Sequence, residues 1–240
     1  MKTIICKDYE EVSKVAADFF EKQIKEKSDS KICFATGSSP IKTYQNLINK
    51  VKENRISFKD VTTFNLDEYV GIPYENKCSY HYFMDDNLFN HIDLKRENIN
   101  FPEGLGNLEE NAKKYEDKIK ELGGIDFMIL GIGTNAHIAF NEPGSKKDER
   151  TREVKLTQST INSNKIYFDN PNDIPKTAVS MGIGTILEAK KIILIASGKS
   201  KADAIYKTLN SPISEEVPSS FLREHKDVTL IIDEDAASLL

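Results

Sequence analysis

The chain has no tryptophan, and in 240 residues it spends only four histidines, four methionines and three cysteines. Cys6, Cys33 and Cys78 are an odd number without metal-type spacing, which gives no sign of a disulfide framework or a thiolate metal site. Cys6 and Cys33 fall in apolar, strand-like runs and read as small core residues. Long hydrophobic runs are missing as well: none approaches the roughly 18 residues that cross a bilayer. The opening "MKTIICKDYEEV" returns to charge after three apolar residues, too short for a secretory leader. Positive charge is in deficit, with 33 Lys and Arg against 38 Asp and Glu, a net charge of −5. That sign does not suit a nucleic-acid polyanion as the main partner, so an anionic ligand must be gripped by local donors. The expectation is a cytoplasmic protein with neither membrane nor nucleic-acid partner.

What the chain does have is a hydrophobic fraction of 39%, enough for a well-buried core, and no internal repeat. "DYEEVSKVAADFFEKQIKEK" puts Val12, Val15, Ala16, Phe19 and Ile24 on one helical face, and Asp8 with Glu11 predicts a helix beginning near Tyr9. "KICFA" reads as a buried strand. "PIKTYQNLINKVKEN" reads as a helix with Ser39 at the N-cap and Pro40 in the first helical position. "DVTTFNL", "IDFMIL", "KIILIAS" and "DVTLIID" read as strands, and "SYHYFMDDNLFNHI", "NLEENAKKYEDKIKEL" and "KSKADAIYKTL" as helices. Continuously apolar strands alternating with helices predict a doubly wound, mostly parallel α/β sheet covered on both faces, a Rossmann-like three-layer sandwich. Residues 1–240 read as one domain. The polar stretch 146–175 lacks clear periodicity and is assigned as a mobile lid.

In open α/β sheets ligands bind outside the carboxyl ends of the strands. Three chemically loaded segments fall at such ends. "ATGSSP" offers Gly37, Ser38 and Ser39 and a helix N-terminus to an anion, although an ordinary Ser/Gly turn explains it equally well alone. "FNLDEYVG" sets Asp67 and Glu68 side by side; in extended chain at most one of them faces a crevice. A partly desolvated carboxylate there could remove a proton from carbon beside a carbonyl, or simply cap a turn. "GIGTNAHIAFNEP" lacks the last glycine of a dinucleotide fingerprint, because Ala136 occupies it. It instead presents His137 with Asn135 and Glu142 close enough to orient an imidazole. "ASGKSK" resembles the tail of a P-loop, but Ile193 stands where its first glycine belongs; two lysines able to meet a phosphate remain. Tyr80, His81 and His91 read as ordinary helix residues.

Taken together, "ATGSSP", "FNLDEYVG", "SYHYFM", "GIGTNAHIAFNEPGS", "MGIGTIL" and "GKSKA" resemble, in order and over essentially the whole chain, the glucosamine-6-phosphate deaminase (isomerase) family. The resemblance implies reversible conversion of glucosamine 6-phosphate and water to fructose 6-phosphate and ammonia, without metal or organic cofactor. It implies that His137 opens the sugar ring, that Glu142 and Asn135 tune it, and that Asp67 takes the C2 proton. It further implies that Gly37, Ser38, Ser39 and Lys201 grip the phosphate, and that the partner is a small amino sugar phosphate; the sequence leaves the oligomeric state open, a homo-oligomer included. Two positions depart from the family pattern. Asn135 stands where members often carry Asp, and Ile166, beside Lys165, stands near the family's phosphate-clamping arginine; Lys165 is then the substitute cation. Alternatives are a deaminase for the galactosamine epimer, a 6-phosphogluconolactonase of the same fold family, and a non-catalytic sugar-phosphate sensor. "HIAFNEP" and Asp67-Glu68-Tyr69 differ from the lactonase pattern at the matching loops.

Overall fold

The computed structural model describes residues 1–164, 168, 170 and 173–240. Among them the order is β1 (Lys2–Cys6), α1 (Tyr9–Glu26), β2 (Lys31–Phe34), α2 (Ile41–Lys52), β3 (Thr62–Asn65), β4 (Asp67–Tyr69), α3 (Tyr80–Asn87) and β5 (Ile99–Asn100). There follow α4 (Leu108–Glu121), β6 (Phe127–Leu130), β7 (Arg152–Lys155), α5 (Gln158–Asn164), β8 (Thr177–Ser180), α6 (Ile183–Leu187), β9 (Ile192–Ala196), α7 (Ala202–Asn210) and β10 (Val228–Asp233). Seven strands form one parallel sheet, ordered β1-β10-β9-β6-β2-β3-β5. Every residue of β6, β9 and β10 is buried, so both faces of the sheet are covered. This is the doubly wound α/β architecture that the apolar strands predict. No helix of the described residues is long and apolar enough to cross a membrane.

Local chemistry explains the elements. Asp8 accepts the Glu11 N–H at 3.0 Å while the Glu11 carboxylate accepts the Lys7 N–H at 2.7 Å, and α1 starts at Tyr9 as the spacing predicts. Its buried stripe is Val12, Ala16, Phe20 and Ile24. Phe20, not Phe19, is the fully buried ring; it stacks on Phe34 at 5.5 Å and meets Phe127 edge-on at 4.8 Å. At α2 the entry falls one residue later than expected: Pro40 is the N-cap, and Ser39 stays in the preceding loop.

A second, antiparallel sheet, β4-β8-β7, is absent from the sequence reading. "DVTTFNL" is not one strand running on to the acidic pair. The Leu66 N–H still donates to Phe34 O (3.3 Å), but its carbonyl accepts from Met181 N (2.8 Å), and Asp67 opens β4 opposite Ser180. Tyr69, Phe140, Leu156, Phe168 and Ala178 form a small core beneath this sheet. β7 and α5 lie inside the stretch 146–175.

From β2 the chain moves outward to β3 and β5; β6 then returns to the other flank of β2, and β9 and β10 continue toward β1. The β2–β6 junction is therefore the topological switch point, where such sheets leave a crevice.

Candidate active site

A crevice of about 340 Å³ opens at this junction. Its walls are the loop 36–39 after β2, Asp67 at the start of β4, residues 77–80 leading into α3, the loop 131–137 after β6, Thr160 on α5, and Lys201 before α7. Asp67 and His137, some 70 positions apart in the chain, thus share one cavity.

The loop after β2 turns at Gly37, whose φ of +91° suits only glycine. Ser38 is tied back by the Tyr9 hydroxyl, which donates to its carbonyl at 3.0 Å. Lys201 reaches in from the far side and donates to the Ile132 carbonyl at 2.7 Å; its burial lowers the ammonium from the usual lysine range. Lys199 is exposed and does not line the crevice. The Gly198 N–H is engaged by both oxygens of Asp233, at 3.0 Å each, so the P-loop reading has no anion-binding amide there.

The loop after β6 holds His137 under constraint. Gly133 accepts no side chain: a Cβ there would lie 2.3 Å from the imidazole. Ala136 and Ala139 adopt positive φ, 68° and 49°, a strained conformation kept in place by the bonds Gly133 N–H to His137 O (2.9 Å) and Ala136 N–H to Gly133 O (3.0 Å). His137 Nδ1 faces Glu142 Oε2 at 3.3 Å, within ion-pair reach but outside hydrogen-bond geometry, and makes no hydrogen bond among the described residues. Asn135 donates its amide to the same oxygen at 2.6 Å and accepts the His137 N–H at 3.3 Å. The other Glu142 oxygen accepts from the hydroxyls of Thr157 (3.1 Å) and Thr160. Burial alone would raise the Glu142 carboxyl; the His137 ring, then Thr160 and Asn135, outweigh it and hold it at about 2.

Asp67 is the opposite case. Burial, with the negative charge of Glu68 added, pushes its carboxyl up to about 8. Glu68 itself turns into the first turn of α3, so one of the two adjacent carboxylates faces the crevice, as extended backbone requires. Two carboxylates in one site, pushed in opposite directions, can divide labour: Glu142 as a fixed charge, Asp67 as a proton carrier.

The structure therefore brings Gly37, Ser38, Ser39, Asp67, Asn135, His137 and Lys201 to one crevice, with Glu142 immediately behind. Lys165 and Ile166 lie outside the described residues. Tyr80 is more than an ordinary helix residue, since it lines the crevice and meets Tyr69 hydroxyl to hydroxyl at 3.1 Å. Thr157 and Thr160 were not singled out by sequence; a threonine pair in a stretch without periodicity carries no signal of its own. His91 is an exposed residue whose ring contacts the Asp86 carbonyl.

Residues 7–231 match the model of the family described as glucosamine-6-phosphate isomerases/6-phosphogluconolactonase. The chain is 50% identical over 241 residues to a glucosamine-6-phosphate deaminase of Thermoanaerobacter sp. (strain X514), covering 100% of this chain and 95% of that one. Identity is also 50% with the Clostridioides difficile (strain 630) glucosamine-6-phosphate deaminase, covering 100% of this chain and 97% of the relative. A solved structure of a monomeric glucosamine-6-phosphate deaminase superposes with a TM-score of 0.98 at 45% identity, with 100% of both chains covered. On full-length identity and on a backbone that overlays end to end, this chain belongs to the glucosamine-6-phosphate isomerase/6-phosphogluconolactonase family.

Proposed function

We infer that the protein is a glucosamine-6-phosphate deaminase, converting glucosamine 6-phosphate and water to fructose 6-phosphate and ammonia. The observation that carries the reading is the meeting of Asp67, His137 and Lys201 in one crevice, in a chain half identical over its whole length to enzymes of that name. With His137 Nδ1 turned to Glu142 at 3.3 Å, Nε2 is the ring nitrogen left to meet the sugar. That nitrogen takes the anomeric hydroxyl proton and returns it to the ring oxygen, which frees the C1 aldehyde. Asp67 then removes the C2 proton, and as the electrons move onto the carbonyl the C1 oxygen takes up a proton given up by the C2 ammonium, leaving an enolamine. Delivering the C2 proton to C1 turns C2 into an iminium ion; water adds at C2 and ammonia departs. The substrate's own carbonyl is the electron sink, so no step calls for a cofactor.

Burial and the neighbouring Glu68 keep Asp67 protonated below about pH 8. A substrate ammonium at C2, arriving beside it, favours the carboxylate and arms the base as the complex forms. Lys201, together with the hydroxyls and amides of 37–39, grips the phosphate away from the reacting carbons. We further propose that the chain works as one domain, with the segment 146–175 closing over bound sugar. Support for this is that Thr157, just before α5, and Thr160 on it both bond Glu142, and that Thr160 lines the crevice. A monomeric assembly is proposed in place of an oligomer, because the overlaying solved relative is described as monomeric. A cytoplasmic location accords with three cysteines that form no disulfide.

The test is a coupled ammonia assay offering glucosamine 6-phosphate, galactosamine 6-phosphate and 6-phosphogluconolactone in parallel. Ammonia from the first, and no lactone hydrolysis, is expected. Turnover of the galactosamine epimer alone, or lactone hydrolysis without nitrogen release, would replace the reading.

A further inference from the structure

Glu68 has no part in the proton transfers assigned above, yet it is only 2% exposed and every donor around it is fixed. Oε1 accepts the N–H groups of Tyr69 (2.8 Å) and Tyr80 (3.0 Å). Oε2 accepts the His81 N–H at 3.0 Å and meets His81 Nδ1 at 2.8 Å. The imidazole in turn stacks on Phe101, centroids 3.7 Å apart, and packs against Tyr74 at 4.6 Å. One carboxylate thus joins β4 to the first turn of α3 and satisfies two N–H groups that have no partner within the helix. The crevice wall 77–80 hangs from that junction.

Glu68 also follows Asp67 directly in the chain. The other titratable groups that sense Asp67 are Cys33 on β2, Tyr80 on α3 and Tyr115 on α4; burial pushes all three up, so they are uncharged at neutral pH. Lys77, His137 and Lys201 also line the crevice. Among the described residues Glu68 is the one carboxylate whose charge acts on Asp67.

We propose that Glu68 is a positioning residue: it staples the α3 wall of the crevice to β4 and sets a second carboxyl group directly beside Asp67 in the chain. The kinetic consequence rests on the deaminase reading; the charge effect does not, because it is visible in the protein without substrate. Buried Asp67 makes stability decline as pH rises toward about 8, and a scan of melting temperature against pH locates that titration.

The experiment compares wild type, Glu68→Gln and His81→Phe in two readouts, melting temperature from pH 5 to 9 and the pH profile of kcat/KM on glucosamine 6-phosphate. Glu68→Gln removes the charge, so the titration midpoint and the acid limb should both move down by about one pH unit. The plateau of kcat should fall about 10-fold as the base weakens, with KM changed less. His81→Phe keeps the stacking and the charge but removes one ring donor, so its midpoint should stay in place while kcat drops about threefold. A Glu68→Gln protein whose melting midpoint stays at the wild-type pH overturns the proposal, whatever substrate is turned over. Should the amide variant not fold, Glu68→Asp and His81→Phe decide. Both weaken the staple and keep the charge, so an unaltered kcat in both overturns the proposal, and a fall in both at an unmoved midpoint supports it.

Discussion

Asp67 illustrates what a single side chain gives up for chemistry. A carboxylate buried at the crevice floor is unfavourable for the fold, and its raised pKa means that the folded state holds a proton that the unfolded chain releases from about pH 3.8 upward. Asp67→Asn should therefore stabilise the protein increasingly between pH 5 and pH 8, by about 1.4 kcal/mol per pH unit at most, a gain read directly in melting temperature. Gly133 is constrained by contact, not conformation. In Gly133→Ala the new methyl would sit on the His137 ring, and displacement of that ring should lower kcat about 100-fold while the melting temperature shifts by only a few degrees. If Lys201 grips the phosphate as proposed, Lys201→Met should act on binding, raising KM about 100-fold with a smaller change in kcat. At this scale the sequence was most legible where unusual residue types cluster. His137 with Asn135 and Glu142 stands out because imidazole, amide and carboxylate crowd a glycine turn. Glu68 and Tyr80 do not, because their importance lies in which backbone N–H groups and walls they meet.

Among the elements, the seven-stranded sheet follows from strands that are apolar on both faces: β6, β9 and β10 could be nothing but interior. The second sheet was hidden for the complementary reason. β4 has three residues, and β7 alternates half-buried with exposed positions over "REVK", so neither presents a hydrophobic run. Its consequence for the site is that Asp67 belongs to a different sheet from the strand before it, which turns the carboxylate from the end of one layer to the start of another. α5 has a comparable role. Thr157, just before the helix, and Thr160 on it hold one oxygen of Glu142, so α5 is coupled to the charge that steadies His137. Thr160→Val, which keeps the shape and removes the hydroxyl, should lower kcat/KM between about threefold and 10-fold by loosening Glu142. An unchanged kcat/KM would mean that α5 lines the crevice without steering the carboxylate.

Across the whole molecule, opposing titrations define a stability optimum. Burial would raise Glu21 and Glu142; bonds from Lys25, Lys50 and Arg55 to the first, and the nearby His137 ring with bonds from Thr160 and Asn135 to the second, bring both to about 2. Groups depressed in the fold contribute stability above their unfolded value of 4.5 and lose it as pH falls toward 2. Asp67, raised, contributes the reverse slope from 3.8 up to about 8. The melting temperature should peak near pH ~5, and in Asp67→Asn the descent on the alkaline side should flatten. Light scattering should find a single species at the chain mass of 27.1 kDa; a larger particle would refute the monomer. The account as a whole depends on two remote side chains acting on one sugar. Its most direct test is the rate of ammonia release from glucosamine 6-phosphate by wild type, Asp67→Asn and His137→Gln at saturating substrate. The account predicts kcat losses of about 1,000-fold and about 100-fold respectively, with substrate still bound by both variants. Deamination by Asp67→Asn at the wild-type rate would contradict it.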